Sequence, residues 1–475
     1  MITRDDYLQC DALALAGLVA GGSVKAEELL TCAIGLAEER NPGVNALSQK
    51  LYDFGRKAIA AGLPQGSFTG VPFLLKDLGA LLKGEITTMG ARITEHRRAE
   101  IDSTLVERYK QAGLVIFGKT ATPEFGLSIS TETTLTGDTR NPWDPARTAG
   151  GSSGGAAAAV AAGILPMAHA SDGGGSIRIP ASCCGLFGLK PTRARMPAGP
   201  VYGEGWGGLS TNHVVSRSVR DSAAALDAAA GPEPGDPYRA PPHPGSFLAE
   251  VGKTPAPLKV ALQRRPLTGV PVHGDCIAAL ERAAQLLEDL GHRVEEAEPP
   301  GDGQALSEAL LCVFSANMRL DLQQIAAQRG RPIEEAEVEQ ATWVFMERAR
   351  RLPIEDYPAA IDRFHSLGRS MAGFRQTYDL LLSPTLAQPP PLLGPLHMDN
   401  PDFDAFLEAM AAVSPFTAVA NMTGEPAMSV PLHWTEEGLP IGVMVSAAAG
   451  EEASLLRLAG QLEEAAPWWE RRPAL

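Results

Sequence analysis

The chain has 475 residues, of which 44% are hydrophobic and 20% are charged, and this composition predicts a globular protein with a large core. Its formal net charge of -15 argues against nucleic acids and anionic membranes as partners, because both would repel it. The six cysteines form no CxxC pair, and no histidine lies near them at metal-ligand spacing, so we expect no metal site.

The first residues of the chain are acidic and lack the apolar run of a secretory signal. No stretch reaches the roughly 20 apolar residues of a membrane span. We therefore expect reduced, mostly buried thiols in a cytoplasmic protein.

The first half of the chain alternates apolar strand-like runs with helical patterns, which is typical of a sheet covered by helices. Buried strands are predicted at residues 71–75, 114–117 and 164–168. Helices are predicted at residues 25–39, 102–112, 154–162 and 218–230. The alanine-rich helix that begins at residue 154 can lie close to the sheet, because its side chains are small.

A segment rich in proline and glycine, residues 231–257, indicates a connection across the surface. Strands are then predicted at 258–262 and 293–297, with a helix between them at 275–290. Residues 304–375 are mainly helical and more polar, and we interpret them as a cap. Strand patterns return at 378–383, 427–434 and 441–446, before a final amphipathic helix at 451–464.

Two serines lie in separate glycine-rich loops. Residues 150–155 (GGSSGG) contain Ser152, and residues 171–178 (SDGGGSIR) contain Ser176. Glycines beside a serine let the backbone approach a substrate closely, and their N–H groups can face a reacting carbonyl. The two loops therefore indicate nucleophilic chemistry.

Two familiar patterns suggest other sites. Residues 113–120 match the phosphate-loop expression GxxxxGK(S/T), but the four residues between the glycines are apolar and favour a strand. Residues 150–154 match the GxSxG elbow of α/β-hydrolases, which would make Ser152 the nucleophile. That fold needs a later histidine, and the later histidines have unfavourable neighbours: His243, His397 and His433.

A lysine is the next candidate for a catalytic base. Lys76 ends the apolar run 70–75 and precedes Asp77. Such a lysine is usually a solvated strand terminus, and only the company of Ser152 and Ser176 favours a catalytic role for it.

Further segments extend this pattern: GVPFLLKD at 70–77, TRNPW at 139–143, GLKPT at 188–192 and NMTGEPA at 421–427. With the two serine loops, they closely resemble the amidase signature family, and the resemblance is weakest from about 231 to 375. It implies an α/β fold with a central mixed, twisted sheet covered by helices on both faces. It also implies one amidase domain over residues 1–475, with its core at 1–230 and 376–475 and a variable, partly helical cap at about 258–375.

The resemblance implies a Ser-cisSer-Lys triad, with Ser176 as nucleophile, Ser152 as the bridging serine before a cis peptide and Lys76 as base. The backbone N–H groups implied for the oxyanion hole are those of Gly173, Gly174, Gly175 and Ser176. The residues implied to organise the site are Ser153, Asp172 and Arg178. No cofactor is implied. Glu425 stands where the family usually has glutamine, either as a salt-bridge partner or as a charge in the pocket.

The implied activity is hydrolysis of an amide carbon–nitrogen bond through an acyl-enzyme. A neutral lysine at pH 7 requires its pKa to fall by about 2 to 3 units, which burial can cause. Segments 188–200, 218–221 and 467–473 look most like the 6-aminohexanoate cyclic-dimer hydrolase branch, which implies small neutral amides, cyclic, aryl or oligomeric. The helical residues that we expect to line the substrate pocket are Cys312 and Trp343, together with Phe314 and Phe345.

Three alternatives stay open. A carbamate or ester hydrolase would use the same residues. The amidotransferase subunit of a tRNA-dependent complex would need a partner and an ammonia channel. A non-catalytic binding protein on the same fold would not need the intact triad. The oligomeric state is open between a monomer and a homodimer.

Overall fold

The computed structural model of the protein describes residues 2–243 and 245–474. The strands in chain order are β1 (Leu47–Lys50), β2 (Pro72–Lys76), β3 (Val115–Thr120), β4 (Arg140–Asn141), β5 (Asp144–Thr148), β6 (Met167–Asp172), β7 (Phe187–Lys190), β8 (Thr211–Ser216), β9 (Lys259–Leu262), β10 (Arg293–Glu296), β11 (Leu380–Pro384), β12 (Ala427–Trp434) and β13 (Pro440–Ala447).

The α-helices are α1 (Arg4–Gln9), α2 (Ala12–Ala20), α3 (Ala26–Val44), α4 (Tyr52–Ala60), α5 (Thr104–Gln111), α6 (Gly154–Ala161), α7 (Arg178–Cys184), α8 (Val219–Ala229), α9 (Leu248–Val251), α10 (Gly274–Asp289), α11 (Gly303–Arg329), α12 (Gln340–Arg350), α13 (Asp356–Phe374), α14 (Phe403–Val413), α15 (Ala418–Thr423) and α16 (Glu452–Ala465). Short 3-10 helices lie at Arg92–Thr94, Glu124–Gly126 and Glu335–Glu337. None of the helices in the described ranges combines the length and apolar character needed to cross a bilayer.

The main sheet is mixed and has eight strands in the order β10-β9-β11-β13-β12-β7-β8-β6. Its parallel pairs, β10 with β9 and β9 with β11, lie at one edge. All the remaining neighbouring strands, from β11 through β13, β12, β7 and β8 to β6, pair in antiparallel orientation. Helices α7, α8, α10 and α16 pack against these strands. The predicted mixed α/β architecture is therefore confirmed.

A second sheet has three strands in the order β1-β3-β2. Strand β2 lies next to β6, the edge strand of the main sheet. Every residue of β2 and β3 is buried, which fits their nearly continuous apolar sequence. The two sheets therefore meet where β2 ends in Lys76 and β6 ends in Asp172.

Helix α6 lies directly against the strands, as its small side chains predicted. All but the last of its eight residues are buried. A Cβ atom added at Gly155 would clash with the backbone of Ala46 and Ala121, so only glycine allows this approach. The close packing fixes the start of α6, and therefore the two serines just before it.

Most predicted elements are confirmed within a few residues, including the strand at the phosphate-loop match. That run is β3, and its Lys119 side chain is buried and donates hydrogen bonds to Ile86 O and to Thr87 Oγ1. The third predicted strand, 164–168, is displaced: β6 begins at Met167 and extends to Asp172. Strands β7 (FGLK) and β8 (TNHVVS) and helix α7 (RIPASCC) were not predicted, because each is short and none contains a long apolar run.

Candidate active site

Lys76 is the last residue of β2, and its side chain is fully buried. Its Nζ donates hydrogen bonds to Ser152 Oγ at 2.7 Å and to Ser171 Oγ at 3.0 Å. Burial lowers the pKa of Lys76 from its usual 10.5 to about 7, while the charge of Asp172 acts in the opposite direction. A substantial fraction of this amine is therefore neutral near neutral pH.

The backbone of Lys76 is held by a histidine that the sequence analysis did not single out. The Lys76 N–H donates to Nδ1 of His169 at 3.1 Å, and Nε2 of that ring lies 3.2 Å from Asn212 Oδ1. Burial lowers the pKa of His169 to about 3, so the ring is neutral. Because Nδ1 accepts, the proton belongs on Nε2, which donates to Asn212.

Ser152 lies just before α6 and is 3% exposed. Its Oγ accepts the hydrogen bond from Lys76 Nζ, so its own hydroxyl proton is free to be donated elsewhere. The peptide bond between Gly151 and Ser152 is cis. The cis bond therefore precedes Ser152, whereas the sequence-based expectation is a cis bond after this serine.

Ser153 contacts the end of β6 rather than the reacting groups. Its Oγ accepts from Ser171 N at 3.2 Å and donates to Ser171 O at 3.1 Å. These two bonds fix the backbone of the residue whose hydroxyl binds Lys76. Ser171 is thus a site residue that was not singled out from the sequence.

Asp172 and Arg178 form a fully buried ion pair. Arg178 Nη2 donates to Asp172 Oδ1 at 2.9 Å, and Nε donates to Oδ2 at 3.0 Å. Burial raises the pKa of Asp172, but Arg178 and the other donors outweigh it and bring that pKa down to about 2. The side chain of Asn421 completes the pair, because it donates to Asp172 Oδ1 and accepts from Arg178.

The Asp172 carboxylate also accepts backbone N–H groups from the loop that carries Ser176. Oδ1 accepts from Gly175 N at 2.8 Å, and Oδ2 accepts from Ile177 N at 3.1 Å. The Gly175 N–H is therefore directed at a carboxylate and is not a free oxyanion donor, contrary to the expectation. Within residues 2–243 and 245–474, the N–H groups of Gly173, Gly174 and Ser176 make no hydrogen bond.

Ser176 follows Gly175, whose φ of 139° is a conformation that favours glycine. Ser176 is 8% exposed, and its hydroxyl makes no hydrogen bond to any other described residue. No hydrogen bond joins it to Ser152 in the described part of the chain. The Ser176 hydroxyl is therefore free of hydrogen bonds to described residues, and so are the N–H groups of Gly173, Gly174 and Ser176 in the same loop.

Two aromatic rings cover this glycine loop. A Cβ atom added at Gly173 would lie 2.7 Å from Cε3 of Trp206, and one added at Gly174 would lie 3.6 Å from Cζ of Phe314. The two rings contact each other, with centroids 4.7 Å apart. Trp206 was not predicted here, although its neighbourhood, GEGWGG at 203–208, is another glycine-rich loop beside an aromatic residue.

The expected pocket residues lie in the helices near these rings. Cys312 is buried in α11, two positions before Phe314. Trp343 is half-buried in α12, with the Arg350 guanidinium 5.9 Å from its ring centroid. Phe345 is buried in the core. A role for Cys312 and Trp343 in substrate binding stays a prediction.

The charge of Glu425 is paired. Its carboxylate accepts two hydrogen bonds from Arg375, at 2.8 and 3.1 Å, and Arg375 Nη2 also donates to Ser446 Oγ. Both charged side chains are nearly buried. Of the two roles considered for Glu425, the structure supports the salt bridge.

A pair of buried carboxylates lies behind Ser152. Gly126 contacts Ser152, because a Cβ atom added there would be 3.2 Å from Ser152 Oγ. Two positions earlier, Glu124 Oε1 accepts from the backbone N of Glu339, the residue before α12, at 2.9 Å. Both glutamates are 0% exposed, and in the described part of the chain neither Oε2 has a hydrogen-bond partner. Burial, followed by the charge of Glu339, raises the pKa of Glu124.

We expect Glu124→Gln to stabilise the protein at alkaline pH. With its pKa raised, Glu124 contributes stability at acidic pH, and this contribution is lost as pH rises above the unfolded value of about 4.3. The wild type should therefore lose up to about 1.4 kcal/mol per pH unit that the glutamine variant does not lose. Thermal unfolding from pH 5 to 9 measures the difference, with the exposed Glu408→Gln as control. Parallel curves for Glu124→Gln and wild type would contradict the elevated pKa.

Comparison with known proteins places this chain among amidases and related hydrolases. A profile of the Amidase family matches residues 36–456. The chain is 37% identical over 478 residues to 6-aminohexanoate-cyclic-dimer hydrolase of Paenarthrobacter ureafaciens, which covers 98% of this chain and 96% of that protein.

Solved structures agree with the sequence comparison. The structure of 6-aminohexanoate cyclic dimer hydrolase complexed with substrate has a TM-score of 0.92 and 36% identity, and the match covers 98% of this chain and 99% of that one. A bacterial aryl acylamidase of the amidase signature family has a TM-score of 0.89 and 27% identity, with 97% and 98% covered.

Proposed function

The chain belongs to the amidase signature family of hydrolases that cleave amide carbon–nitrogen bonds, and on that premise we propose that it reacts through an acyl-enzyme on Ser176. The observation that carries the proposal is the arrangement around Lys76. A buried amine with its pKa near 7 donates to Ser152 Oγ at 2.7 Å, while the Ser176 hydroxyl remains uncommitted. This combination supplies a base, a relay and a nucleophile.

In the first step, Ser176 Oγ attacks the amide carbon. Its proton passes to Ser152, and the Ser152 proton passes to the neutral amine of Lys76. Ser152 suits this relay because a hydroxyl can accept one proton while donating another. The new C–O bond converts the carbonyl oxygen into an oxyanion.

The backbone N–H groups of Gly173, Gly174 and Ser176 are the proposed oxyanion donors. Such a donor lowers the barrier by roughly 3 to 4 kcal/mol when it is already aimed at the developing charge. Asp172 contributes indirectly, because it accepts the N–H of Gly175 and so fixes the loop. Arg178 and Asn421 hold that carboxylate in turn.

Collapse of the tetrahedral intermediate breaks the C–N bond and leaves an ester on Ser176. The proton stored on Lys76 returns through Ser152 to the departing amine, which leaves neutral. Water then attacks the ester by the same route, and the products are a carboxylic acid, a free amine and the regenerated serine.

For the substrate, we propose a small neutral amide with an apolar acyl or leaving group. The rings of Trp206 and Phe314 lie against the glycine loop, and apolar walls of this kind favour uncharged ligands. Cys312 and Trp343 are proposed to extend the pocket. The names of the relatives, a cyclic-dimer hydrolase and an aryl acylamidase, point in the same direction. Esters and carbamates would be side substrates, and no specific observation favours an amidotransferase.

We expect a panel of linear, cyclic and aryl amides, esters and carbamates to identify the preferred class. The purified protein alone should hydrolyse at least one neutral amide. Rapid-quench intact-mass spectrometry should detect an acyl adduct, and peptide mapping should place this adduct on a peptide that contains Ser176. Charged analogues of the same size are the matched controls and should react at least about tenfold more slowly. An adduct that maps to Ser152 would contradict the assignment of the nucleophile.

A further inference from the structure

A small cavity lies between the N-terminal helix α1, the last turn of α6 and the C-terminal segment 466–474, which we call the tail. Its volume is about 100 Å³, well below the roughly 300 to 1,000 Å³ of pockets that hold drug-sized ligands. Its described lining contains no aspartate or glutamate. It contains four arginines, here called the arginine cluster: Arg40, Arg217, Arg471 and Arg472.

Backbone carbonyl groups hold three of these guanidinium groups at the cavity. Arg217 Nη1 donates to Leu8 O at 2.7 Å, and Arg472 Nη2 donates to the same oxygen. Arg40 Nη1 donates to Ala162 O, at the C-terminal end of α6. A guanidinium has five N–H donors, so most of the donors in the cluster are not used by described protein groups.

The arginine cluster has few direct partners of opposite charge: the charges of Asp221 and Asp11 act to raise the pKa of Arg217, but neither forms an ion pair with it. Within residues 2–243 and 245–474, no carboxylate forms an ion pair with Arg217, Arg471 or Arg472. Arg40 has only the half-exposed Glu39, at 4.0 Å. Burial, followed by the charge of Arg472, lowers the pKa of Arg217 to about 10.

The nearest acidic residues are committed to other groups. Asp11 is bound by Arg220, and Asp221 accepts the backbone N–H groups of Ala12 and Leu13. Arg40, Arg217 and Arg472 are half-buried, and like charges held close together repel one another, so a bound anion would offset this repulsion.

We propose that the cavity is a binding site for a small oxyanion, such as phosphate, sulfate or a carboxylate, held by the arginine cluster. Arginine suits this role because its planar fork binds two oxygens of one anion. The volume admits the anionic group and excludes a nucleotide. The site lies at the opposite end of α6 from Ser152 and Ser153, and it does not depend on the proposed reaction.

The anion would join the tail to the body of the protein. The tail already contacts the body through Trp468, whose Nε1 donates to Arg217 O at 3.0 Å. Arg472 lies on the tail, whereas Arg40 and Arg217 lie on the body. An anion bound between them would neutralise their mutual repulsion and hold the two parts together.

Thermal unfolding with increasing inorganic phosphate, at constant ionic strength, tests the proposal. The Tm of the wild type should rise and follow a saturable binding curve, because a ligand that binds only the folded state stabilises it by mass action. Arg40→Gln and Arg472→Gln should each weaken the apparent phosphate affinity at least about tenfold. The control is Arg319→Gln: Arg319 also donates to a helix-end carbonyl, Ala349 O, but lies outside the cavity.

Sulfate, acetate and chloride replace phosphate in parallel titrations and distinguish the oxyanions from simple halide binding. A second readout needs no variant: phosphate should slow amide hydrogen exchange in residues 2–10 and 466–474, and not in α11. A rise in Tm that does not saturate with phosphate concentration and is equal in wild type and Arg472→Gln would overturn the proposal. So would tighter binding of chloride than of every oxyanion, or unchanged exchange in the tail.

Discussion

Replacing Ser176 with alanine is expected to lower kcat by about 10⁴- to 10⁶-fold, because the variant lacks the atom that forms the acyl-enzyme. The folded state should be almost unaffected. The Ser176 hydroxyl makes no hydrogen bond to the other described residues, so its removal leaves no unsatisfied partner. Loss of activity with an unchanged Tm would therefore report chemistry rather than folding.

Turnover of the preferred amide and intact-mass detection of the adduct are the measurements for Ser176→Ala. A matched control is Ser222→Ala. This serine of α8 is also buried, but its hydroxyl pairs with His213 of β8, outside the site. The control should keep near wild-type kcat and should form the adduct. Turnover by Ser176→Ala within tenfold of the wild type would refute its assignment as nucleophile.

Replacing Lys76 with methionine is expected to lower kcat/KM by about 10³- to 10⁴-fold near neutral pH, because no general base then accepts the serine proton. In the wild type, log kcat/KM should rise with unit slope up to about pH 7, the pKa to which burial brings Lys76. In Lys76→Met the break that ends this limb near pH 7 should disappear, because the residual rate then follows the hydroxide concentration, and the deficit should shrink only above pH 7. Lys76→Arg should be equally inactive, since a guanidinium stays protonated.

A second buried lysine serves as the control for this pH profile. Lys190 Nζ donates to Pro191 O, and burial also brings its pKa to about 7, with the charge of Arg178 acting in the same direction. If Lys76 is the base, Lys190→Met should retain the break near pH 7. Loss of the break in Lys190→Met, with the break retained in Lys76→Met, would transfer the role to the other lysine.

Stability provides a further test of the environment of Lys76. A buried lysine whose pKa is lowered destabilises the folded state, fully below pH 7 and progressively less as pH approaches the unfolded value of about 10.4. Lys76→Met should therefore have a higher Tm than the wild type at neutral pH. The Tm difference should shrink as pH rises. This outcome would indicate that the buried amine of Lys76 lowers the stability of the folded state at neutral pH, as is common for groups that serve the reaction rather than the fold.

Local patterns were sufficient for several of the strands and helices that make the core. Apolar runs of five or six residues predicted β2 and β3, and the alanine-rich run predicted α6 and its close packing. The same local evidence rejected the phosphate-loop match, because four apolar residues between two glycines favour a strand. Strands β7 and β8 were missed because they are only four and six residues long and lack a continuous apolar run, and their burial comes from neighbours distant in sequence.

The residues proposed to react also came from the sequence, through the two glycine loops and the family resemblance. Their surroundings did not. Ser171 contacts the Lys76 side chain across 95 positions of sequence, and His169 contacts its backbone across 93, because β2 and β6 lie side by side. Likewise, no local rule indicated that the Gly175 N–H binds Asp172, or that Trp206 covers Gly173.

The sequence by itself therefore indicated the proposed reactive residues and many of the strands and helices, because motifs and hydrophobic periodicity are short-range properties of the chain. Only the tertiary structure decided the pKa of Lys76, the pairing of Glu425 with Arg375 and the direction of each loop N–H. Burial and hydrogen bonding at the Lys76 amine and the Glu425 carboxylate depend on segments 95 and 50 positions away, and packing alone brings those segments together.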